Sequence, residues 1–289
     1  MTNEAAFDSI KIRYLLILMI AFFVVMLPFM YLSRGLIAGA EWDVIFGFLF
    51  YTVIAFWIVQ NLEKAKIYLP KFIGSFPYSY NWLALFTIIF SVIILTLGLG
   101  ELGRYIVSTM NPNVLNNIPS TSVFYTPQAS PLAPFLNFMD FFIAVIIAPI
   151  VEEFLFRGVI LHRFTVKWSL RTAVIASSII FGLLHSDIIG AFIFALVMCI
   201  LYIKTATLLV PILAHMTNNM LAYGTKIMST FTPQYSGATA THDLGFAVLL
   251  ILVSGMFILY FLYTNWPQKW WTPPYFQEEI DGIPENLYY

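Results

Sequence analysis

Residues 141–161 read Phe141-Phe-Ile-Ala-Val-Ile-Ile-Ala-Pro149-Ile-Val-Glu152-Glu153-Phe-Leu-Phe-Arg157-Gly-Val-Ile-Leu161. Two adjacent carboxylates and an arginine thus interrupt a run otherwise apolar enough to cross a bilayer. An ionised side chain in hydrocarbon costs roughly 2.5–3.5 kcal/mol on insertion scales, so such groups persist there only when paired, wetted or functional. This stretch decides both the fold class and where to look for a site.

The surrounding chain has the same character. Of its 289 residues 60% are hydrophobic and 10% charged, and the mean hydropathy is +0.85. Soluble domains carry about a quarter charged residues, so the composition is that of a polytopic membrane protein. The net charge of −1 offers no basic patch to DNA or RNA, which disfavours nucleic acid as a partner. Cys199, the single cysteine, rules out an intrachain disulfide and a thiolate metal cluster.

Windows of about 20 apolar residues mark spans. They fall near 14–32, 43–60, 81–99, 138–161, 171–188, 189–203, 206–222 and 245–264. The expected fold is an all-α membrane protein, a bundle of about eight helices around an intramembrane cavity. Residues 1–265 form one transmembrane domain, with the polar residues of interest in 138–222, and 266–289 form a polar, loosely ordered tail. With the N-terminus inside, ten of the fourteen Lys and Arg fall on the inner side and three outside, leaving Arg157 in the membrane. That asymmetry predicts that both termini are cytoplasmic. Trp266, Trp270 and Trp271 suit an interfacial anchor, and the long connection near 100–133 reads as a flexible surface loop rather than a lid.

Helix geometry divides the three charges. Glu153 and Arg157 are four residues apart with the acid first, the favourable order for an ion pair. Glu152 points about 100° away and is left as the free carboxylate. Pro149 removes a backbone hydrogen bond just before the pair, which can kink the helix and free a carbonyl near Glu152.

Two further spans carry polar groups. His185 ends the run Phe181-Gly-Leu-Leu-His185, with Phe181 one turn earlier as a packing shelf or cavity wall. His215 and Asn219, four apart in His215-Met-Thr-Asn-Asn219, project from one helix face. Singly, each more often hydrogen-bonds a neighbouring helix than does chemistry. Asn218, Asp140 and Asp187 stay in that class, and His162 and His242 read as surface residues.

Depth tests whether the set can meet. At about 1.5 Å per residue, His215 lies roughly 15 Å and His185 roughly 21 Å from the inner ends of their helices. Glu152 reaches that depth only if the fourth helix runs on past Arg157 to about Arg163. A carboxylate beside an imidazole can then deprotonate a water, while a second imidazole and an amide NH₂ donate to a developing oxyanion. Those are the parts for hydrolysing an acyl compound.

Glu152-Glu153-Phe-Leu-Phe-Arg157, Phe181-Gly-Leu-Leu-His185 and His215-Met-Thr-Asn-Asn219 resemble, in order and spacing, the EExxxR, FxxxH and HxxxN motifs of the CPBP (ABI) family of CAAX proteases and bacteriocin-processing enzymes. The resemblance implies an intramembrane endopeptidase like the type II CAAX prenyl endopeptidases. It implies that Glu152 and His185 activate the water, that His215 and Asn219 stabilise the oxyanion, and that Glu153 and Arg157 support the site. The implied partners are membrane lipid and a peptide or protein substrate, in some family members lipid-modified at a C-terminal cysteine. No cofactor is expected.

Two alternatives compete with that reading. Glu152, His185 and His215 can supply three ligands to Zn²⁺ with an open fourth position, although HExxH is absent and Asn219 then has no obvious task. A non-catalytic family member, a peptide-binding or bacteriocin-immunity protein, would use the same cavity without turnover. A transporter ranks last, because no inverted repeat is present.

Overall fold

The structure, a computed structural model, describes residues 2–37, 39–110, 124–126, 128, 130–231 and 244–277. Its described elements are helical. They are α1 (Asn3–Ser9), α2 (Ile12–Leu32), α3 (Gly39–Lys64), α4 (Leu69–Ile73), α5 (Trp82–Met110), α6 (Ala133–Lys167), α7 (Leu170–Leu183), α8 (Ile188–Thr205), α9 (Leu209–Phe231) and α10 (Leu244–Asn265). Eight long helical segments therefore cover the eight expected spans. Six stretches are long and apolar enough to cross a membrane by themselves: Asn3–Leu32, α3, α5, α6, α8 and α10. The chain is an integral membrane protein whose described elements are all helices.

The two segments outside that group carry the histidine motifs. At 14 residues, α7 reaches only about 21 Å, short of a hydrocarbon core of about 30 Å. Ser169 caps its start by accepting from Thr172 N–H, and it ends in a tight turn from which Asp187 caps α8 by accepting from Gly190 N–H. The α7–α8 hairpin closes against Gly182, where a Cβ would meet Ile188 O at 2.8 Å and Phe192 Cβ at 3.0 Å. The apolar run of α9 is broken by His215, Thr217, Asn218 and Asn219.

Burial orders the helices from the centre outward. Around α8, every residue from Phe194 to Ile203 is buried, as expected of a helix that is apolar on all faces. By contrast, α2 fully buries only Leu15 and Met26 and exposes much of its apolar surface, including Leu16, Ile17, Val24 and Val25.

The fourth span is longer than its apolar window. It is helical from Ala133 to Lys167, as the depth of the histidines requires. Two π-helical stretches, Ile143–Ile147 and Phe154–Ile160, flank the Pro149–Glu153 segment. Such widened turns are frequent at functional sites. Phe72 of α4 packs against the second, where Gly158 leaves the room: a Cβ there would lie 2.5 Å from Phe72 Cζ.

Both terminal segments pack on the same end of the bundle. Phe7 of α1 is fully buried and stacks on His162 with ring centres 4.7 Å apart. Arg163 ties α1 down, Nε donating to Ile10 O at 2.9 Å and Nη2 lying 3.1 Å from Asp8 Oδ1. Beyond α10 the chain returns through a 3₁₀ turn, Pro274–Phe276. The Tyr275 hydroxyl accepts from Tyr68 N–H at 3.0 Å, and Asn3 Nδ2 donates to Tyr275 O at 3.1 Å.

Two expectations are corrected here. His162 is fully buried rather than at the surface, because α1 and the returning tail close over it. The tail is not loose between 266 and 277: Trp266 and Trp271 pack on the core, and only Trp270 keeps the exposure of a free anchor.

At the other end, Asn137 pins the close of the long connection, its side chain accepting from Tyr125 N–H at 2.9 Å and donating to Tyr125 O at 3.0 Å. Burial, with the carboxylates of Asp43 and Asp140 nearby, pushes the Tyr125 hydroxyl up to about 12. Residues 111–123 of that connection, His242 and residues 278–289 lie outside the described residues.

Candidate active site

The middle of α6 presents its two carboxylates to different surroundings. Glu153 is fully buried, and its Oε1 accepts from Arg157 Nη1 at 2.8 Å, the pair expected from their spacing. Arg157 is buried as well and donates from Nη2 to Ala195 O on α8 at 3.1 Å. The same Glu153 oxygen lies 2.8 Å from His215 Nδ1. A carboxylate can only accept, so Nδ1 donates and Nε2 is the nitrogen that turns toward Glu152.

Glu152 keeps 14% of its side-chain surface open, and its Oε2 is 3.8 Å from His215 Nε2. That separation is too long for a direct hydrogen bond. Its other oxygen accepts from the hydroxyl of Tyr51 on α3 at 2.7 Å. The free carboxylate of the sequence therefore has a partner, and it comes from a helix without any of the motifs.

Ring stacking joins the histidine of α7 to this group. Phe181 is buried, its ring 4.3 Å from that of His185 in a near-parallel stack and 5.0 Å from the Arg157 guanidinium. An edge contact at 6.0 Å links it to His215, which Phe194 also meets edge-on at 4.8 Å. His185 Nδ1 donates to Phe181 O at 2.7 Å, which leaves Nε2 as its free nitrogen. Phe181 is thus the wall between the two imidazoles.

Asn219 is held by the distortion in α6. In the π turn, Ala148 N–H reaches back five residues to Ile143 O. In that register the donor for Ala144 O would be residue 149, and Pro149 has no N–H. Asn219 Nδ2 supplies the bond at 2.8 Å, while Asn218 Nδ2 donates to Asn219 Oδ1 at 3.2 Å. An NH₂ group has two hydrogens, so one remains for a ligand. The carbonyl that Pro149 frees is thus Ala144 O, about two turns before Glu152 rather than beside it, and a side chain satisfies it.

A cavity of about 170 Å³ opens on this assembly, and His185, His215, Asn218 and Asn219 reach it together with Thr96 and Asp187. Glu152 stands behind His215 and makes no hydrogen bond or ion pair with His185. Of the predicted set, then, His185, His215, Asn219 and Phe181 share the cavity and Glu152 joins through His215. Glu153 and Arg157 lie beneath. Among the described residues no group of three His, Cys, Asp or Glu is arranged to share a metal ion. Reading the sequence missed Tyr51 and Phe194, which no local spacing relates to the motifs, and undervalued Asn218.

Residues 134–221, which contain all three motifs, match the family model described as type II CAAX prenyl endopeptidase Rce1-like. Neither a curated protein nor a solved structure gives a significant match. Through the segment that carries His185, His215 and Asn219, the chain is similar to the type II CAAX prenyl endopeptidases that this model describes.

Proposed function

We propose that the protein is an intramembrane endopeptidase that hydrolyses a peptide bond with a water activated by Glu152. The observation that carries this reading is the position of His215 between two carboxylates, 2.8 Å from Glu153 and 3.8 Å from Glu152, at the edge of a cavity shared with His185 and Asn219. Glu152 Oε2 takes a proton from the water, whose second hydrogen bond goes to His185 Nε2. The resulting hydroxide adds to the scissile carbonyl. His215, held by Nδ1 on Glu153, offers an Nε2–H to the oxyanion alongside the second Asn219 hydrogen. Collapse returns the Glu152 proton to the leaving amine.

In this reading Glu153 and Arg157 hold His215 in place and Phe181 sets the distance between the two imidazoles. The match to a model described as type II CAAX prenyl endopeptidase supports the substrate class we propose: a protein or peptide C-terminus carrying a prenylated cysteine, cut on the C-terminal side of that cysteine. Both termini, and the end of the bundle they cover, face the cytoplasm, in line with the surplus of Lys and Arg on that side.

The test is to incubate the purified protein with a farnesylated CAAX peptide, its unprenylated counterpart and an unrelated membrane peptide, and to locate cuts by mass spectrometry. Cleavage next to the prenylated cysteine is expected. A folded preparation that cuts none of the three would overturn the enzymatic reading, and cleavage of the unprenylated peptide at an equal rate would overturn the substrate class.

A further inference from the structure

Tyr51 lies on α3, outside the segment that matches the family model, yet its hydroxyl is the donor bound to Glu152, at 2.7 Å from Oε1. Phenol donates and carboxylate accepts, so the bond is charge-assisted. Among the described residues no other side chain donates to Glu152. Arg157, the nearest cation in sequence, is committed to Glu153 and to Ala195 O.

The ring is fixed as firmly as the hydroxyl. Tyr51 packs both on the main core and on the smaller cluster of Val44, Leu136 and Ile143, and Phe50 meets it edge-on at 5.4 Å. A glutamate's terminal torsion is otherwise soft, with a broad range of carboxylate orientations. Holding Oε1 on α3 leaves Oε2 turned to the gap before His215 Nε2 on α9.

We infer that Tyr51 is a positioning residue for hydrolysis, anchoring one oxygen of Glu152 so that the other faces the water beside His215. The inference rests on the reading of Glu152 as the base. Tyr51→Phe removes the hydroxyl and keeps the packed ring, so the fold survives and the carboxylate is released. Because Tyr51 is not among the residues that line the cavity, peptide binding is untouched. The loss appears in kcat, about 10- to 100-fold, the worth of one hydrogen bond to a charged group, with KM unchanged.

The experiment compares wild type, Tyr51→Phe, Glu152→Gln and the double variant in detergent with a farnesylated CAAX peptide as probe. Infrared difference spectra of the same proteins identify the Glu152 carboxylate stretch as the band lost in Glu152→Gln. Expected are a fall in kcat without a change in KM for Tyr51→Phe, a shifted Glu152 band, and a double variant no slower than Glu152→Gln alone. Wild-type kcat in Tyr51→Phe, or an unmoved band, overturns the inference. If Glu152→Gln still cleaves, the general-base reading fails and takes the inference with it. An inactive Glu152→Gln beside an unaffected Tyr51→Phe sinks the inference alone. Should the probe not be cut by wild type, the band decides: unmoved, it overturns the positioning role.

Discussion

Glu153 Oε1 and His215 Nδ1 are 2.8 Å apart, and the same oxygen lies 2.8 Å from Arg157 Nη1. One fully buried carboxylate thus joins α6 to α9, while its sequence neighbour Glu152 keeps part of its surface open. Neutralising the two should have opposite signatures. Glu153→Gln leaves the Arg157 guanidinium buried without its counter-charge, a loss of about 3–5 kcal/mol. Glu152→Gln leaves the buried pair intact, costs about 1 kcal/mol or less, and abolishes cleavage. Unfolding of both variants in detergent, with the peptide assay alongside, checks this. Equal destabilisation by the two would contradict the division of labour.

What was legible in the sequence is what a single helix determines. The Glu153–Arg157 pair follows from a four-residue spacing, and the extension of α6 past Arg157 follows from the depth of two histidines at a fixed rise per residue. Tyr51, on another helix 101 residues before Glu152, lies beyond any local periodicity. The fit of His215 between two carboxylates depends on how α9 rotates against α6, which spacing does not encode. His162 reads as a surface residue because the helix end it occupies is covered only when α1 and the tail fold back.

Metal removal addresses the one rival that uses the same side chains. His215 already gives Nδ1 to Glu153 and Glu152 already gives Oε1 to Tyr51, and among the described residues Glu152, His185 and His215 are not arranged to share an ion. Cleavage should persist after dialysis against a strong chelator and should not rise on adding Zn²⁺. A loss of activity that Zn²⁺ restores would move the mechanism to a metal-bound water.

The terminal clasp predicts a stability effect far from the cavity. Phe7 is fully buried against His162, so Phe7→Ala should cost about 3–5 kcal/mol, the range for deleting a buried aromatic. Trp270, 77% exposed, should tolerate alanine within about 0.5 kcal/mol. Denaturant unfolding of the two variants measures the contrast. A neutral Phe7→Ala would mean that α1 contributes nothing to holding the end of α6.

Pro149 and Asn219 are linked through one carbonyl. Since Ala148 N–H is drawn to Ile143 O and Pro149 has no N–H, Ala144 O depends on Asn219 Nδ2. Asn219→Ala should therefore cost about 1 kcal/mol, the net worth of a hydrogen bond, as well as most of the activity. Pro149→Ala gives the backbone back its donor. In that background Asn219→Ala should be less destabilising, a positive coupling measurable by a double-mutant cycle in unfolding free energy. Cleavage should stay low in the double variant, because the amide hydrogen aimed at the oxyanion is still missing. Additive costs would break the link through Ala144, and recovered cleavage would show that Asn219 serves the helix rather than the reaction.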